Sequence, residues 1–301
     1  MNIAKNLKLF FVLPALLSMF AIFAIAVYGL HPGIDLSGGS LLQVSYTEAR
    51  PPVDQVQALV SKLGLGEVRI QPTGTTGYIL RQRDLSTQEK TQLEAVLGGL
   101  GQLHEDQFNS VGPTLGTELM HKAWIAIVLI VICIILFIAF AFRHVSKPIA
   151  SWMYGVVAIF TLLHDILIPA GMFALLGYIN GAEVDSLFIV ALLTILGISI
   201  NDTIVVFDRI RENLRLNEER RRHEDFDAVV GRSITQTIAR SINTSVTVVI
   251  MLVALYILGP AATQNFSLTL IVGMIAGTYS SIFLAAPLLV VWERWQAKKQ
   301  K

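Results

Sequence analysis

The sequence predicts a polytopic α-helical membrane protein, with six transmembrane helices and one extracytoplasmic ferredoxin-like α+β domain. Three observations predict it. Of 301 residues, 53% are hydrophobic and 15% charged, with a mean hydropathy of +0.61; a soluble domain is typically about 25% charged. Six stretches are apolar over the ~20 residues that a helix needs to cross a bilayer. Residues 31–122, between the first two stretches, have ordinary soluble character and a mixed strand and helix pattern.

The first span is read at residues 9–30. Lys5 and Lys8 precede it, as they would in a secretory signal peptide. The apolar run is longer than a usual signal core, however, and no clean small-x-small cleavage site follows before Gly33, so a retained span is the expectation. The other spans are read at residues 123–142, 149–176, 186–207, 241–258 and 266–292. Lys and Arg gather in alternate connections: Arg143 and Lys147, then Arg209, Arg211, Arg215, Arg220, Arg221, Arg222 and Arg232, then Lys298, Lys299 and Lys301. Segments 177–185 and 259–265 contain neither. The positive-inside bias therefore places residues 1–8, the basic loop 208–240 and the tail 293–301 in the cytoplasm, and residues 31–122 outside. Residues 226–237 read as an interfacial helix, and the basic loop as an anchor to anionic membrane lipids.

Within residues 31–122 the expected order is β-α-β-β-α-β, that of a ferredoxin-like sandwich. Strands are read at 40–46, 67–71, 78–82 and 102–109, and helices at 52–63 and 86–97, the second opened by a capping box from Ser86 to Glu89. The chain enters through Gly33-Ile34-Asp35-Leu36-Ser37-Gly38-Gly39-Ser40, whose glycines permit a tight turn and close backbone approach. It leaves through Val111-Gly112-Pro113-Thr114-Leu115-Gly116, read as a hinge or linker.

Several function classes are excluded or disfavoured. A formal net charge of +1 points to no nucleic-acid partner. Cys133 is the only cysteine, so no intrachain disulfide exists, and no P-loop motif occurs. The soluble segment has no His/Cys cluster and no nucleophile–base arrangement. No cofactor, metal or catalysed reaction is implied.

The chemistry concentrates inside the membrane. Asn201-Asp202 interrupts the fourth span, and a charge at the bilayer centre costs about 2.5–3.5 kcal/mol on insertion scales. Arg240 opens the fifth span at a similar depth and is the expected partner of Asp202. A carboxylate beside a cation in low dielectric can gain or lose a proton as its surroundings change. A permanent salt bridge that only fastens two helices is the competing reading. Ser199, Asn201 and Thr203 lie near Asp202, and Asn243 and Thr244 near Arg240. They either line a wetted path or bond helix to helix. His164-Asp165 in the third span is read in the same two ways, as part of the path or as a structural pair.

GIDLSGGS after the first span, VGPTLG before the second, HD in the third, INDTIVVFDRIRENLR closing the fourth and TQTIARSINTS opening the fifth occur in that order. Over essentially the whole chain they resemble the SecF family, the smaller of the two SecD/SecF subunits of bacterial protein export. The family more often shows Phe-Thr-Gly-Gly-Thr where this chain has Leu36-Ser37-Gly38-Gly39-Ser40. The resemblance implies a six-span subunit of the cytoplasmic membrane, paired with SecD in an arrangement similar to resistance–nodulation–division transporters. It implies work alongside the SecY channel and its motor ATPase, using the proton-motive force to draw unfolded polypeptide outward. It assigns Asp202 and Arg240 to the proton pathway. Two rivals remain at this point: a stand-alone proton-coupled exporter of small molecules or lipids, and a passive scaffold.

Overall fold

The structure is a computed structural model that describes residues 3–141, 149–222 and 224–299. Arg143, Lys147 and Lys301, which carry part of the charge bias, lie outside the described residues. Contacts divide the chain into two units. One comprises residues 1–30, 126–182 and 187–301; the other comprises residues 31–125 with the short segment 183–186.

The smaller unit is a four-stranded sheet with helices. After α1 (Ile3–Tyr28), a single turn α2 (Ile34–Ser37) leads into β1 (Gly39–Tyr46), α3 (Val53–Val60), β2 (Arg69–Thr73), β3 (Gly77–Gln82), α4 (Thr87–Gly98) and β4 (Leu103–Val111). The sheet order is β2-β3-β1-β4 and every neighbouring pair is antiparallel, which is the ferredoxin-like arrangement expected from the element order. Alternation along β1 buries Leu42, Val44 and Tyr46, which pack with Tyr78 and Leu80 of β3, Val56 and Val60 of α3, and Leu93 and Leu97 of α4.

The capping box is present as read. Glu89 N–H donates to Ser86 Oγ at 3.3 Å and Ser86 N–H donates to Glu89 Oε2 at 2.9 Å. The Arg83 guanidinium, and then the Ser86 N–H and hydroxyl, hold the Glu89 carboxyl down from 4.5 to about 2. A lowered acid stabilises the fold above its unfolded pKa and loses that contribution as pH falls through its folded one. The stability difference between wild type and Glu89→Gln is therefore expected to be complete above pH 4.5 and to vanish towards pH 2. Parallel acid-unfolding curves over that window would contradict this.

The glycine motifs at entry and exit pack on each other. Gly38 has φ +77°, and a Cβ there would stand 2.6 Å from Pro113 Cα; one on Gly116 would strike the Gly38 backbone. The linker expected at residues 111–116 is thus corrected. Pro113 is the first residue of a continuous helix, α5 (Pro113–Ala141), because proline's missing N–H costs nothing at that position. Gly38→Ala is expected to cost about 2–4 kcal/mol through backbone strain and overpacking. Gly112→Ala is expected to be near neutral, since Gly112 has open space around its Cβ position. Thermal unfolding of the two purified variants checks the contrast; equal midpoints would contradict it.

The larger unit contains α1, α5 from residue 126 onward, α6 (Ser151–Asn180), α7 (Ser186–Glu219) from residue 187 onward, α8 (Phe226–Leu258), α9 (Ala261–Ser280), a π-helical turn (Ser281–Ala285) and α10 (Ala286–Lys299). Among the described residues, six helical stretches are long and apolar enough to cross a membrane, the last being α9, the π turn and α10 together. Their close approaches use small residues, the usual packing device in membranes. Gly171 of α6 admits Ala21 of α1. Gly273 and Gly277 of α9, four apart, admit Ile195 and Ser199 of α7.

The basic connection at 208–240 is mostly helix: α7 runs on to Glu219 and α8 begins at Phe226. One further expectation is corrected. Residues 226–237 are no separate interfacial helix but the first third of α8. A stripe of Phe226, Val229, Val230, Ser233, Ile234, Thr237 and Ser241 is buried along α8, and Thr203, Val206, Phe207, Ile210 and Asn213 are buried along α7. Asn213 Nδ2 donates to Ser233 Oγ at 2.8 Å and to Gln236 Oε1 at 2.9 Å. Many of the charges are paired on the spot: Arg211 with Asp208, Arg209 with Glu212, Arg215 with Glu219, Arg232 with Glu224 and Arg294 with Asp227. The tail expected from residue 293 is helical to Lys299.

Candidate functional site

Asp202 lies midway along α7, half-buried, and its carboxyl faces Ser241 and Arg240 of α8. Antiparallel α7 and α8, held in register by the Asn213 bonds, bring these positions to one level. Arg240 does not close an ion pair: among the described residues, no nitrogen of Arg240 lies within 4.0 Å of the Asp202 carboxylate. The acid and the cation are neighbours that remain apart in this conformation. Asp202 also edges a cavity of about 130 Å³ between α7, α8 and α9, lined chiefly by Ile195, Ile198, Leu252, Leu270 and Met274. A pocket with so apolar a lining holds water poorly.

Arg240, Asn243 and Thr244 are exposed on the outer face of α8. Asn201 is exposed in a groove between α7 and the Ile130, Cys133, Ile134 and Phe137 face of α5. Thr203 points inward instead; its Oγ1 is buried and has no hydrogen-bond partner among the described residues.

Ser199 does not serve Asp202. Its hydroxyl donates to Asp165 of α6, as does Ser280 Oγ at 2.9 Å. His164 Nδ1 bonds the other Asp165 oxygen at 2.9 Å, and Tyr279 Oη meets His164 Nε2 at 2.7 Å. Asp165 is wholly buried and His164 is 5% exposed. A neutral imidazole protonated at Nδ1 satisfies the whole chain: Tyr279 donates to His164, and His164, Ser199 and Ser280 donate to the carboxylate. Adjacent residues on a helix ordinarily diverge, yet here the His164 and Asp165 side chains bond each other. The network ties α6, α7 and α9 immediately before the π turn. Tyr279 and Ser280 were missed in the sequence. The polar run Thr278-Tyr279-Ser280-Ser281 within an apolar span was the available signal.

Of the glycine and hinge residues, Gly33 is pinned by its N–H to Val184 O at 2.8 Å. Gly38 and Gly39 take positive φ, and a Cβ on Gly39 would stand 2.6 Å from Gln82 O. Gly112 has no such constraint, and Pro113 opens α5.

The model of the SecD/SecF protein-export membrane protein, C-terminal region, matches residues 92–295, and that of the SecD/SecF GG motif matches residues 23–49. The protein translocase subunit SecF of Thermobaculum terrenum is 40% identical over 297 residues, covering 94% of this chain and 91% of the relative. The chain belongs to the SecF family. The SecF subunit of Anaerolinea thermophila is 36% identical, with coverage of 97% and 94%. Among solved structures, that of SecDF from Thermus thermophilus, a translocon-associated membrane protein, superposes with a TM-score of 0.84 at 31% identity. It covers 98% of this chain, which spans 39% of the SecDF chain. SecF membership makes this a multi-pass membrane protein, in accord with its six apolar helical stretches.

Proposed function

We propose that the chain is a proton-coupled subunit of protein export, paired with SecD in the cytoplasmic membrane and acting beside the SecY channel and its motor ATPase. Both termini are cytoplasmic in this reading, and residues 31–122 are outside, where unfolded polypeptide emerges. The subunit acts as a transport component, with no catalysed covalent step.

The observation that carries the reading is Asp202, a carboxyl within the spanning helices that faces Arg240 without an ion pair. A permanently closed salt bridge would have no protonation to exchange; an open acid and cation can exchange a proton when the gap between them changes. Arg240, Asn243, Thr244 and Asn201 are exposed at a depth where polar groups do not face lipid. Those exposed surfaces are the ones we assign to SecD and to the water path, with Asn201 and Asn243 lining it. His164, Asp165 and Ser199 support the path by fixing α6 and α9 against α7. Arg220, Arg221 and Arg222, which have no ion pair among the described residues, meet anionic headgroups. The test is export from membrane vesicles driven by the proton-motive force after the ATPase has been exhausted. Asp202→Asn stops it while the subunit still co-purifies with SecD; full export in that variant would refute the reading.

A further inference from the structure

The segment between α6 and α7 belongs to the smaller unit, although the helices on both sides belong to the larger one. Gly181, with φ +69°, ends α6, and the chain then enters a clamp made by the glycine motif and β3. Val184 N–H donates to His31 O at 2.7 Å and Gly33 N–H donates to Val184 O at 2.8 Å, a two-bond bridge of parallel strand type at Pro32 and Val184. Glu183 Oε2 lies 3.1 Å from Arg81 Nε on β3, with both side chains largely buried. Arg81 Nη1 is oriented by Gln71 Oε1 at 2.7 Å on β2. Asp35 Oδ2 accepts the Ser186 N–H at 3.4 Å. Ser186 is the first residue of α7, so the acid of the glycine motif sits at the positive end of that helix dipole.

Each contact has its own chemical reason, and together they hold one short segment from three sides. The held segment runs without interruption into α7, the helix that carries Asp202. We infer that Asp35, Arg81 and Glu183 are coupling residues, a clamp through which a displacement of α7 is delivered to the glycine motif and to β3 of the outer domain. The inference rests on the proposal that Asp202 exchanges protons during the cycle. It gives the acid of the Gly-Ile-Asp-Leu-Ser-Gly-Gly motif a task that turn geometry does not require. It also makes Gly33 a pinned point.

The test uses the charge reversals Arg81→Glu and Glu183→Arg, singly and combined, in the SecD-paired complex in proteoliposomes. Single reversals are expected to lower proton-driven export about tenfold, a change of the size that coupling networks carry, while proton uptake stays within about twofold of wild type. The double reversal is expected to recover export. Wild-type export in both single variants would overturn the inference, and so would loss of proton uptake together with export. Hydrogen exchange at the Gly33 and Val184 amides reads the clamp separately. It is expected to quicken in the single variants and slow again in the double one; unchanged protection would overturn the clamp. An Asp202→Asn control that exports like wild type would refute the proton reading alone, and exchange at those two amides would still decide the clamp.

Discussion

Asp202→Asn is expected to reduce export driven by the proton-motive force to that of membranes lacking the subunit, with little change in folding. Asparagine keeps the volume of aspartate and a group that can bond Ser241, so the packing of α7 on α8 should survive. It removes the one property the proposal requires, exchange of a proton at an acid facing a cation. One charge moved through the whole field is worth about 2.3 kcal/mol per 100 mV, and a residue with no exchangeable proton draws none of it. Arg240→Lys, which keeps the charge but not the planar fork, should be milder than Arg240→Leu, which leaves Asp202 without its cation. Export from energised vesicles, with thermal unfolding of each variant as a control, checks the series. An active Asp202→Asn, or one inactive because it unfolds, would count against Asp202 as the titrating group.

Asp165 is expected to behave in the opposite way. Asp165→Ala removes the acceptor shared by His164, Ser199 and Ser280 and should destabilise by about 1–3 kcal/mol for each buried donor left unpaired. Asp165→Asn retains an acceptor oxygen for the two serines and should preserve both the fold and most of the export activity. The apparent midpoint of thermal unfolding in detergent, measured beside export, separates the roles. A folded but inactive Asp165→Asn would make Asp165 a titrating member of the path, and a stable Asp165→Ala would remove its role in holding the helices.

The two carboxylates show how far the residues could be read in order. Asp202 and Asp165 look alike in the sequence, each an acid inside an apolar run with a polar neighbour. What separates them is their partners. Asp165 meets Tyr279, through His164, and Ser280, each far along the chain, and no local spacing announces such a meeting. Asp202 and Arg240 were legible as a pair because a single connection joins their helices, so their depths follow from counting residues. The gap between their charges was not legible, since it depends on side-chain conformation. Ser199 was read with Asp202 on the basis of helical spacing, but it sits on the part of α7 that meets Gly277, and there the buried acceptor is Asp165. The charged residues beyond Phe207 continue α7 as a helix with ion pairs at three- and four-residue spacing; residues 226–237, expected as a separate interfacial helix, are instead continuous with α8, whose buried stripe begins there.

The six apolar runs, the order of strands and helices in the small domain, and the Ser86–Glu89 cap are all legible in the amino-acid order. Transfer from water to lipid is nearly additive residue by residue, and capping involves neighbours three positions apart. The Asp165 network, the clamp on residues 183–186 and the open gap at Asp202 come from folding in three dimensions. Each depends on which buried polar group finds a partner in a medium of low dielectric, and that is settled by which helices and strands lie side by side.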